Sequence, residues 1–598
     1  MEWAVLTLSA ITTICTLGWV LWYSRYGIDF TDESFYLVSI SNPFNYALTA
    51  TQFGFIYHPL YQLLDGNIAN LRQVNILIIF CLAWAVSSIF LKSVYGNQAL
   101  ERMPRLIISA GIATASLALL DTWLPTPGYN SLALQALLVA AIGFLLADKQ
   151  ITPISVAGWA LIGVGGWLSF MAKPTTAAAL GVCTVLYLIV AGKFSIRYLV
   201  ISLAIAVGLL VLTALVIDGS VITFIDRLKG GAELATMLSG GHTITKLLRV
   251  DSFYLSEKLK TILTITTIII FASAYLFQSK TKAMMYGGAS LSALFAMVTL
   301  AMVFGLTHQT INAGMFQGLL FWSIGIAAIL LEFALYRFKV LLQISRSEWA
   351  MALSFLVFPH VFAVGTGNNY WVAGIHAGIF WALAGLVILG PIGRTQKVTS
   401  LLLPFGLAVP LVAAALIQPG IEAPYRQPKP LYVNDYEIDI GRQGSTLVLS
   451  KEYGQYFAEA IESAKHAQFK KGTPMIDLTG QSPGILYAIG ASSIGQAWTI
   501  GGYPGSENLA VATLKRVSCE ELSIAWLIVE IEGPRRISPE VLSSFGANIA
   551  TDFKIVGAFK TAQGAGGYNE TRLQHLLKPV RNVGSAIKAC EATRVTKQ

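Results

Sequence analysis

Long apolar runs fill residues 1–418 and limit what the chain can fold into. A helix needs about 20 mostly apolar residues to cross the hydrocarbon core of a membrane, which is about 30 Å thick. About 13 such runs occur, at 3–23, 74–95, 104–121, 129–147, 153–171, 175–192, 198–217, 261–278, 284–306, 315–336, 349–366, 371–390 and 399–418. Only 12% of the residues are charged, about half the share in a typical soluble domain. The sequence therefore predicts a polytopic α-helical membrane protein.

The character of the sequence changes after residue 418. A proline-bearing linker at 418–430 leads into ordinary mixed sequence, with β-rich apolar runs and amphipathic helical patterns. Strands that alternate with helices are typical of small α/β domains. The sequence therefore predicts two domains, a transmembrane domain over 1–418 and a soluble α/β domain over 419–598.

Lysine and arginine are unevenly distributed among the short loops. Thirteen follow even-numbered runs and three follow odd-numbered runs, with the long loop at 218–260 left aside. Cytoplasmic loops carry the excess of basic residues, so we expect a cytoplasmic N-terminus and an extracytoplasmic 419–598 at the inner (plasma) membrane. The charges of Glu2 and Arg25 favour the opposite orientation, but the summed bias outweighs them. The net charge of +9 gives no reason to expect a nucleic-acid partner.

Two of the five cysteines, Cys519 and Cys590, lie in the C-terminal domain. They can pair if that domain is extracytoplasmic, because disulfides persist in oxidising compartments. Two unrelated thiols are the equal alternative. The sequence has no CxxC pair and no His/Cys cluster of the kind that predicts a zinc site.

The loops on the predicted outer side hold the candidate functional residues. The first, about 24–73, begins with Asp29, Asp32 and Glu33 directly after the first apolar run. Ionisable groups at bilayer depth are costly, so these carboxylates are expected at the membrane surface. They either form a solvated face or hold a general base or charge stabiliser. The same loop contains His58 and Arg72.

Three further outer segments carry polar residues. The second loop contains Asp121 and, after two prolines, Tyr129 and Asn130; a lone Asp at a helix end is often only a cap. Lys173 stands between two apolar runs, where it either snorkels to the interface or supplies a point charge for a phosphate. The segment 218–260 predicts one or two amphipathic helices on the membrane.

Together these motifs resemble the integral-membrane glycosyltransferases of the GT-C superfamily, which include protein O-mannosyltransferases and the aminoarabinose transferases that modify lipid A. That family places Asp-Glu-x-x-(Tyr/Phe) after its first span, and Asp32-Glu33-Ser34-Phe35-Tyr36 matches it. Asp121 resembles the acid of the second external loop. Pro127-Gly128-Tyr129-Asn130 and Lys173-Pro174-Thr175 resemble short motifs of bacterial members.

The resemblance implies transfer of a sugar from a polyprenyl-phosphate or polyprenyl-pyrophosphate carrier to an acceptor outside the cytoplasm, usually with inversion. Asp32 would be the general base, Glu33 would position it, and Asp121 would orient the acceptor. The other implied contacts are Lys173, His58, Arg72 or a basic residue of 218–260 for the donor phosphate, and Tyr129 and Asn130 for the acceptor or sugar. Some family members use a divalent cation, but no set of metal ligands is evident here.

Two other functions fit the same sequence. A transporter or flippase of lipid-linked sugars would place ionisable residues near the midplane of broken helices, often in repeated halves. Here the acids cluster at one face and no matched halves are evident. A non-catalytic partner in envelope polysaccharide assembly would use the soluble domain as its active surface. The glycosyltransferase hypothesis implies as partners a polyprenyl-linked donor, a lipid, glycan or protein acceptor, and membrane lipids.

Overall fold

The computed structural model describes residues 1–96, 100–238, 251–308, 310, 315–394 and 397–595. Helices dominate the chain up to residue 422. They are α1 (Glu2–Tyr23), α2 (Asp32–Ser41), α3 (Phe53–Leu63), α4 (Ile68–Tyr95), α5 (Arg102–Ala113), α6 (Tyr129–Leu146), α7 (Pro153–Ala172), α8 (Pro174–Val190), α9 (Ile196–Asp218), α10 (Val221–Met237), α11 (Glu257–Phe277), α12 (Lys282–Val303), α13 (Trp322–Tyr336), α14 (Arg346–Ala363), α15 (Tyr370–Ala373), α16 (Ile379–Val387), α17 (Gly390–Gly393) and α18 (Val398–Glu422). Turns of 3-10 helix lie at Pro43–Asn45, Thr114–Leu120, Gln317–Phe321, Leu341–Gln343 and Gly374–Ala377.

Within the described residues, ten helical stretches are long and apolar enough to cross a membrane. They are α1, α4, α5 with the turn after it, α6, α7, α9, α11, α12, α13 with the turn before it, and α18. The stretch Tyr370–Ala377 and α16 would together make an eleventh, but they are bent by 76°. The remaining predicted runs form α8, an apolar helix of 17 residues, and α14, of 18 residues. The polytopic helical fold is confirmed, with fewer full-length spans than the thirteen predicted.

The helix α18 lies at the centre of the membrane part. In the apolar 18-residue stretch of α18, 94% is buried inside the protein, whereas in the corresponding stretch of α9 the buried share is 17%. It packs against α1, α5, α11 and α12. At the crossing with α5, a Cβ on Gly111 would lie 2.7 Å from the carbonyl oxygen of Gly406. A glycine at this crossing lets the two backbones approach closely, as small residues commonly do in membrane bundles.

The C-terminal part combines short strands with helices. Its strands are β1 (Tyr436–Asp439), β2 (Thr446–Leu449), β3 (Pro474–Asp477), β4 (Ser492–Ser493), β5 (Trp526–Val529), β6 (Phe553–Lys560) and β7 (Leu573–Pro579). Its helices are α19 (Lys451–His466), α20 (Pro483–Ile489), α21 (Ser506–Leu514), α22 (Cys519–Ile524), α23 (Ile549–Asp552) and α24 (Val583–Val595). Turns of 3-10 helix lie at Leu431–Val433, Pro539–Phe545 and Ala565–Gly567.

Five of the strands form one mixed sheet in the order β4-β3-β5-β7-β6, and β1 and β2 form a separate antiparallel hairpin. In the sheet, β3 runs parallel to β4 and β5, and β7 runs antiparallel to β5 and β6. Every residue of β3 and β5 is buried. Strands covered on both faces carry continuous apolar runs instead of alternating ones, and this is how both segments read in the sequence. The α/β class is confirmed.

The C-terminal part packs directly on the segment between α1 and α2. The carbonyl oxygen of Val448 in β2 accepts the N–H of Gly27 at 2.9 Å. The Tyr453 hydroxyl in α19 donates to the carbonyl oxygen of Ile28 at 2.8 Å. One cluster of buried apolar side chains includes residues of both parts, and α18 continues to Glu422. The division between 418 and 419 stays a prediction.

The helix α10 bridges the membrane part and the C-terminal part. Arg227 makes two hydrogen bonds to the Asp218 carboxylate, of 2.9 and 2.6 Å, and also donates to the carbonyl oxygen of Tyr46. At the other end, Nη2 of Arg516 lies 3.7 Å from a carboxylate oxygen of Glu233. One helix thus covers the first half of the long segment for which amphipathic helices were predicted.

Cys519 and Cys590 form a disulfide that joins α22 to α24 across a sequence separation of 71, with a Cα–Cα distance of 5.7 Å. Of the two alternatives left open by the sequence, the structure adopts the pairing. Closing a loop of this length restricts the unfolded chain by about 4 kcal/mol in the chain-entropy model.

Replacing both cysteines with serine should lower the unfolding free energy of the C-terminal part by about 2–5 kcal/mol. Thermal unfolding of the purified full-length protein in detergent, followed by tryptophan fluorescence, would measure the change. Cys81→Ser is a suitable control, because this thiol is free and exposed. An unchanged melting temperature in the double variant would contradict a stabilising disulfide.

Candidate active site

The acidic segment after α1 builds the start of α2. The Asp29 carboxylate accepts the backbone N–H groups of Thr31 at 3.2 Å and Glu33 at 3.3 Å. In return, the Glu33 carboxylate accepts the N–H of Asp29 at 3.1 Å. These bonds satisfy donors that a helix N-terminus otherwise leaves unpaired, and acidic side chains are favoured at that positive end. Of the three acids, Asp32 is the one that the cap does not use.

The Asp32 side chain is partly exposed, at 29%, and its Oδ2 lies 2.7 Å from Nη1 of Arg426. Arg426 belongs to the segment after α18, and its guanidinium lies 4.6 Å from the centre of the Tyr425 ring. Burial raises the pKa of Asp32 above its ordinary value, although the charges of Arg426 and Arg535 act to lower it. Asp32 and Arg426 thus form an ion pair between the first loop and the C-terminal part, and Arg535 is near enough for its charge to act on Asp32. We call this place the Asp32 opening.

Asp29 is fully buried next to Asp32. The Thr31 hydroxyl lies 2.8 Å from the Asp29 carboxylate and 3.5 Å from Oδ2 of Asp32. Burial, followed by the negative charge of Asp32, raises the pKa of Asp29 to about 7. Neighbouring carboxylates disfavour each other's charged form, so the charge of Asp32 favours the protonated form of Asp29 near neutral pH.

Aromatic side chains surround the same opening. The rings of Tyr36 and Tyr129 meet edge to face, with centroids 5.6 Å apart. The Arg535 guanidinium lies 5.6 Å from the centre of the Trp498 ring and 5.9 Å from that of Tyr503. Aromatic walls with a few convergent polar groups are typical of small-molecule sites. This composition suits a ligand that has both an apolar face and polar substituents.

Glu33 and Arg72 form an ion pair of 2.9 Å in which both side chains are 0% exposed. Nη1 of Arg72 also donates to the carbonyl oxygens of Ser24 at 2.9 Å and Gly27 at 3.0 Å. The Glu33 carboxylate accepts the hydroxyl and the N–H of Thr126 at 2.6 and 3.1 Å. The pair thus joins the first loop, α4 and the second loop. Because the pair is buried, the Arg72 guanidinium is enclosed away from the Asp32 opening. The position of Arg72 therefore does not support the predicted contact with the donor phosphate.

Asp121 and Lys173 belong to a second polar cluster. Oδ1 of Asp121 lies 3.2 Å from Nε2 of His376, and the His376 ring packs edge-on against Phe362 at 5.8 Å. The Lys173 ammonium donates to the carbonyl oxygen of Phe362 at 2.7 Å. Lys173 is only 6% exposed, and burial lowers its pKa to about 7. Near neutral pH this lysine therefore keeps its charge only in part.

The loop of Asp121 also reaches the Asp32 opening. The carbonyl oxygen of Thr122 accepts the N–H of Tyr425 at 3.0 Å, and Tyr425 precedes the arginine that pairs with Asp32. Asn130 follows Tyr129 in the first turn of α6 and is half-buried. The predicted acids of the first two loops are therefore parts of one region.

His58 lies elsewhere. Its Nδ1 is 2.7 Å from the carbonyl oxygen of Ile40, near the C-terminal end of α2 and about 12 Å along that helix from Asp32 at 1.5 Å per residue. Among the basic residues of 218–260, Arg227 is engaged by Asp218, and His242, Lys246 and Arg249 lie outside the described residues.

Sequence reasoning missed both arginines of the opening. Arg426 carried a signal, because Tyr425 and Arg426 stand between two prolines directly after the last apolar run. Arg535 carried none, since its neighbours in the sequence resemble those of any surface loop. The described residues contain no group of three or more His, Cys, Asp or Glu side chains that could hold a metal ion.

No protein-family model and no curated protein matches this sequence. Among solved structures, the chain is similar to ArnT from Cupriavidus metallidurans, which was crystallised bound to undecaprenyl phosphate. The comparison covers 96% of this chain and 98% of that one, at 14% sequence identity and a TM-score of 0.36.

The buried pair can be tested by stability measurements. Glu33→Gln should destabilise the protein by about 3–5 kcal/mol, because it leaves the Arg72 charge buried without a partner. The double variant Glu33→Gln, Arg72→Met should recover much of that loss, since it removes both charges. Thermal unfolding in detergent would report both effects.

The matched control for this experiment is Glu257→Gln, which breaks the exposed ion pair with Lys260. Exposed pairs contribute little to stability, so this variant should unfold at the wild-type temperature. Equal losses of stability in Glu33→Gln and Glu257→Gln would show that the buried pair contributes no more to stability than the exposed pair.

Proposed function

We propose that this chain is a membrane glycosyltransferase that moves a sugar from a polyprenyl-phosphate-linked donor to an acceptor hydroxyl, with Asp32 as the general base. The observation that carries the proposal is the Asp32 opening, where a partly exposed carboxylate faces Arg426 and Arg535 beside aromatic rings. The reaction needs a base within reach of the acceptor hydroxyl and cations for the departing phosphate. The Asp32 opening supplies both.

In the proposed reaction, the acceptor oxygen attacks the anomeric carbon while the bond from that carbon to the phosphate oxygen breaks. The hydroxyl proton passes to Asp32, and the bonding electrons leave with the phosphate. Attack on the face opposite the leaving group inverts the anomeric centre. The raised pKa of Asp32 strengthens it as a base, because a carboxylate with a higher pKa holds the proton more firmly.

Because Asp32 pairs with Arg426, binding of the donor would also affect the base. Arginine binds phosphate through two parallel hydrogen bonds. A donor phosphate that engages Arg426 would therefore draw the guanidinium away from Asp32 and leave the carboxylate free to accept a proton. In this scheme the base becomes competent only when the donor is bound.

We assign the donor phosphate to Arg426 and Arg535 in preference to Lys173, His58 and Arg72. The two arginines are half-buried at the opening itself, whereas Arg72 is enclosed and His58 lies at the far end of α2. The Lys173 ammonium is buried and donates to the carbonyl oxygen of Phe362.

Other predicted residues keep a place in the proposal. Asp121, held by His376, would orient the acceptor, and Tyr129 with Asn130 would contact the acceptor or sugar. Glu33 would act through the cap that it shares with Asp29. The C-terminal part, 419–598, would be a component of the active site, because it supplies Arg426 and Arg535.

We also propose that the Asp32 opening and the C-terminal part lie on the extracytoplasmic face. The disulfide between Cys519 and Cys590 supports this, since such bonds persist in oxidising compartments. A cysteine introduced as Lys465→Cys, on the exposed surface of α19, should react with a membrane-impermeant maleimide in intact cells from which any outer barrier has been removed. Lys149→Cys, in a loop predicted to be cytoplasmic, should react only after lysis. The reverse pattern would overturn this orientation.

The function itself is tested with Asp32→Asn. Mass analysis of glycolipids and glycans from cells with and without the protein would first identify the missing sugar. The variant should lower transfer of that sugar by about 10²–10⁴-fold, the usual contribution of a general base, while the protein still inserts and folds.

Asp65→Asn is the matched control, because Asp65 is an exposed carboxylate of the same loop outside the opening. It should transfer sugar at the wild-type rate. Normal transfer by Asp32→Asn would remove Asp32 from catalysis. A lipid-linked sugar that accumulates on one membrane face without any missing transfer product would favour a flippase instead.

A further inference from the structure

A cavity distinct from the Asp32 opening lies in the membrane part. It is a groove of about 620 Å³ between α1, α12 and the end of α18, within the size range of small-molecule sites. Its apolar wall includes Gly18 and Trp19 of α1 and Met302 and Val303 of α12. Both helices are long and apolar enough to cross a membrane, and the wall lies toward their C-terminal ends. We call this cavity the α1–α12 groove.

The end of the groove at the membrane surface is polar. Gln418 of α18 is 2% exposed, and its Nε2 donates to the carbonyl oxygen of Thr307 at 2.7 Å. Its Oε1 is buried with no hydrogen-bond partner among the described residues. Oε1 of Glu422 lies 2.8 Å from Nδ1 of His308, whose ring packs 4.4 Å from that of Tyr432. An acceptor buried without a donor is costly, so an occupant that supplies a donor would be stabilised here.

The chemistry of this end discriminates between lipid head groups. Gln418 Oε1 and the Glu422 carboxylate both accept hydrogen bonds, so a head group with hydroxyls would match them. A phosphate dianion has no proton to donate to Gln418 and would be repelled by the charge of Glu422. An apolar wall in the bilayer and an acceptor-rich end at its surface therefore fit an uncharged, hydroxyl-bearing lipid.

We propose that the α1–α12 groove binds a membrane lipid with an uncharged, hydroxyl-bearing head group, and that such a lipid is the sugar acceptor. The second half rests on the proposed function, whereas the binding itself does not. The polar end of the groove adjoins the reaction region, because Glu422 lies on the same short segment as Arg426. In the last turn of α18, a Cβ at Gly420 would lie 2.7 Å from the carbonyl oxygen of Asp121. A head group held there would lie beside the loop assigned to the acceptor.

Filling the groove tests the binding. A Cβ at Gly18 meets no atom within 4 Å, so Gly18→Phe can be accommodated on α1 while its ring occupies the groove. Gly208→Phe in α9 is the matched control, because a Cβ there also meets no atom within 4 Å and α9 faces the bilayer along most of its length. The probes are a long-chain alkyl glucoside and the alkyl phosphate of the same chain, each with a photoreactive diazirine in the chain.

Both probes are applied to the purified full-length protein in lipid nanodiscs, and labelled peptides are identified by mass spectrometry. The glucoside should label peptides of α1 and α12 in the wild type and in Gly208→Phe, and this labelling should fall at least tenfold in Gly18→Phe, an order-of-magnitude effect expected for a filled pocket. The phosphate probe should label the same peptides weakly in all three proteins. Undiminished glucoside labelling in Gly18→Phe, or equal labelling by the phosphate, would overturn the proposal.

Two readouts separate this proposal from the proposed function. Asp32→Asn should keep the glucoside labelling and lose sugar transfer, whereas Gly18→Phe should lose both. If Asp32→Asn still transfers sugar while labelling depends on Gly18, the catalytic assignment fails and the lipid site stands. If Gly18→Phe loses labelling but transfers sugar normally, the lipid is bound there but is not the acceptor.

Discussion

The buried ion pair between Glu33 and Arg72 is the contact on which the arrangement of the first two loops depends. Burying two charges is costly, and removing either partner leaves the other uncompensated. Around this pair, hydrogen bonds reach Ser24, Gly27 and Thr126. Arg72 stands in the second turn of α4, so a rigid membrane helix carries the point at which the first two loops meet. The loops therefore have one well-defined position relative to the bundle.

Glu33 connects this pair to the candidate site. The same carboxylate that meets Arg72 also accepts the N–H of Asp29, and Asp29 in turn caps the helix that begins at Asp32. Positioning of a catalytic group to within a fraction of an ångström requires support of this kind from residues behind it. Asp32 is the only one of the three acids with a partly exposed carboxylate, because the other two are used to hold the segment in place.

The C-terminal part supplies the opposite wall of the opening, and buried polar contacts hold that wall. Glu530 accepts hydrogen bonds from Arg572 at 2.7 Å and from Gln481 at 3.2 Å. The Trp498 indole donates to the carbonyl oxygen of Gly480 at 3.0 Å, next to Gln481. Hydrogen bonds of this kind order the backbone around them, while Oε1 of Gln481 and Nη2 of Arg572 are buried without a partner among the described residues. Arg535 lies over the ring of Trp498. This arginine, about 500 residues after Asp32 in the sequence, is thereby held near Asp32.

The sequence by itself determined the membrane character and the α/β class of the C-terminal part. These follow from local properties, since apolar length and strand and helix patterns are encoded within short stretches. The sequence also indicated the loop that holds Asp32, the proposed base. Local patterns could not separate Asp29, Asp32 and Glu33, which are neighbours in the chain but have three different environments; only the family resemblance singled out Asp32.

Only the tertiary structure decided which side chains meet. His58 and Arg72 belong to the same loop as Asp32, yet one lies at the far end of α2 and the other is enclosed behind it. Arg426, distant in sequence, pairs with the carboxylate instead, and the charge of Arg535, more distant still, acts on it. The reason is physical: local patterns specify elements, whereas the partners of a charge are set by how distant elements pack. The disulfide and the α1–α12 groove arise in the same way, from segments that no local pattern places side by side.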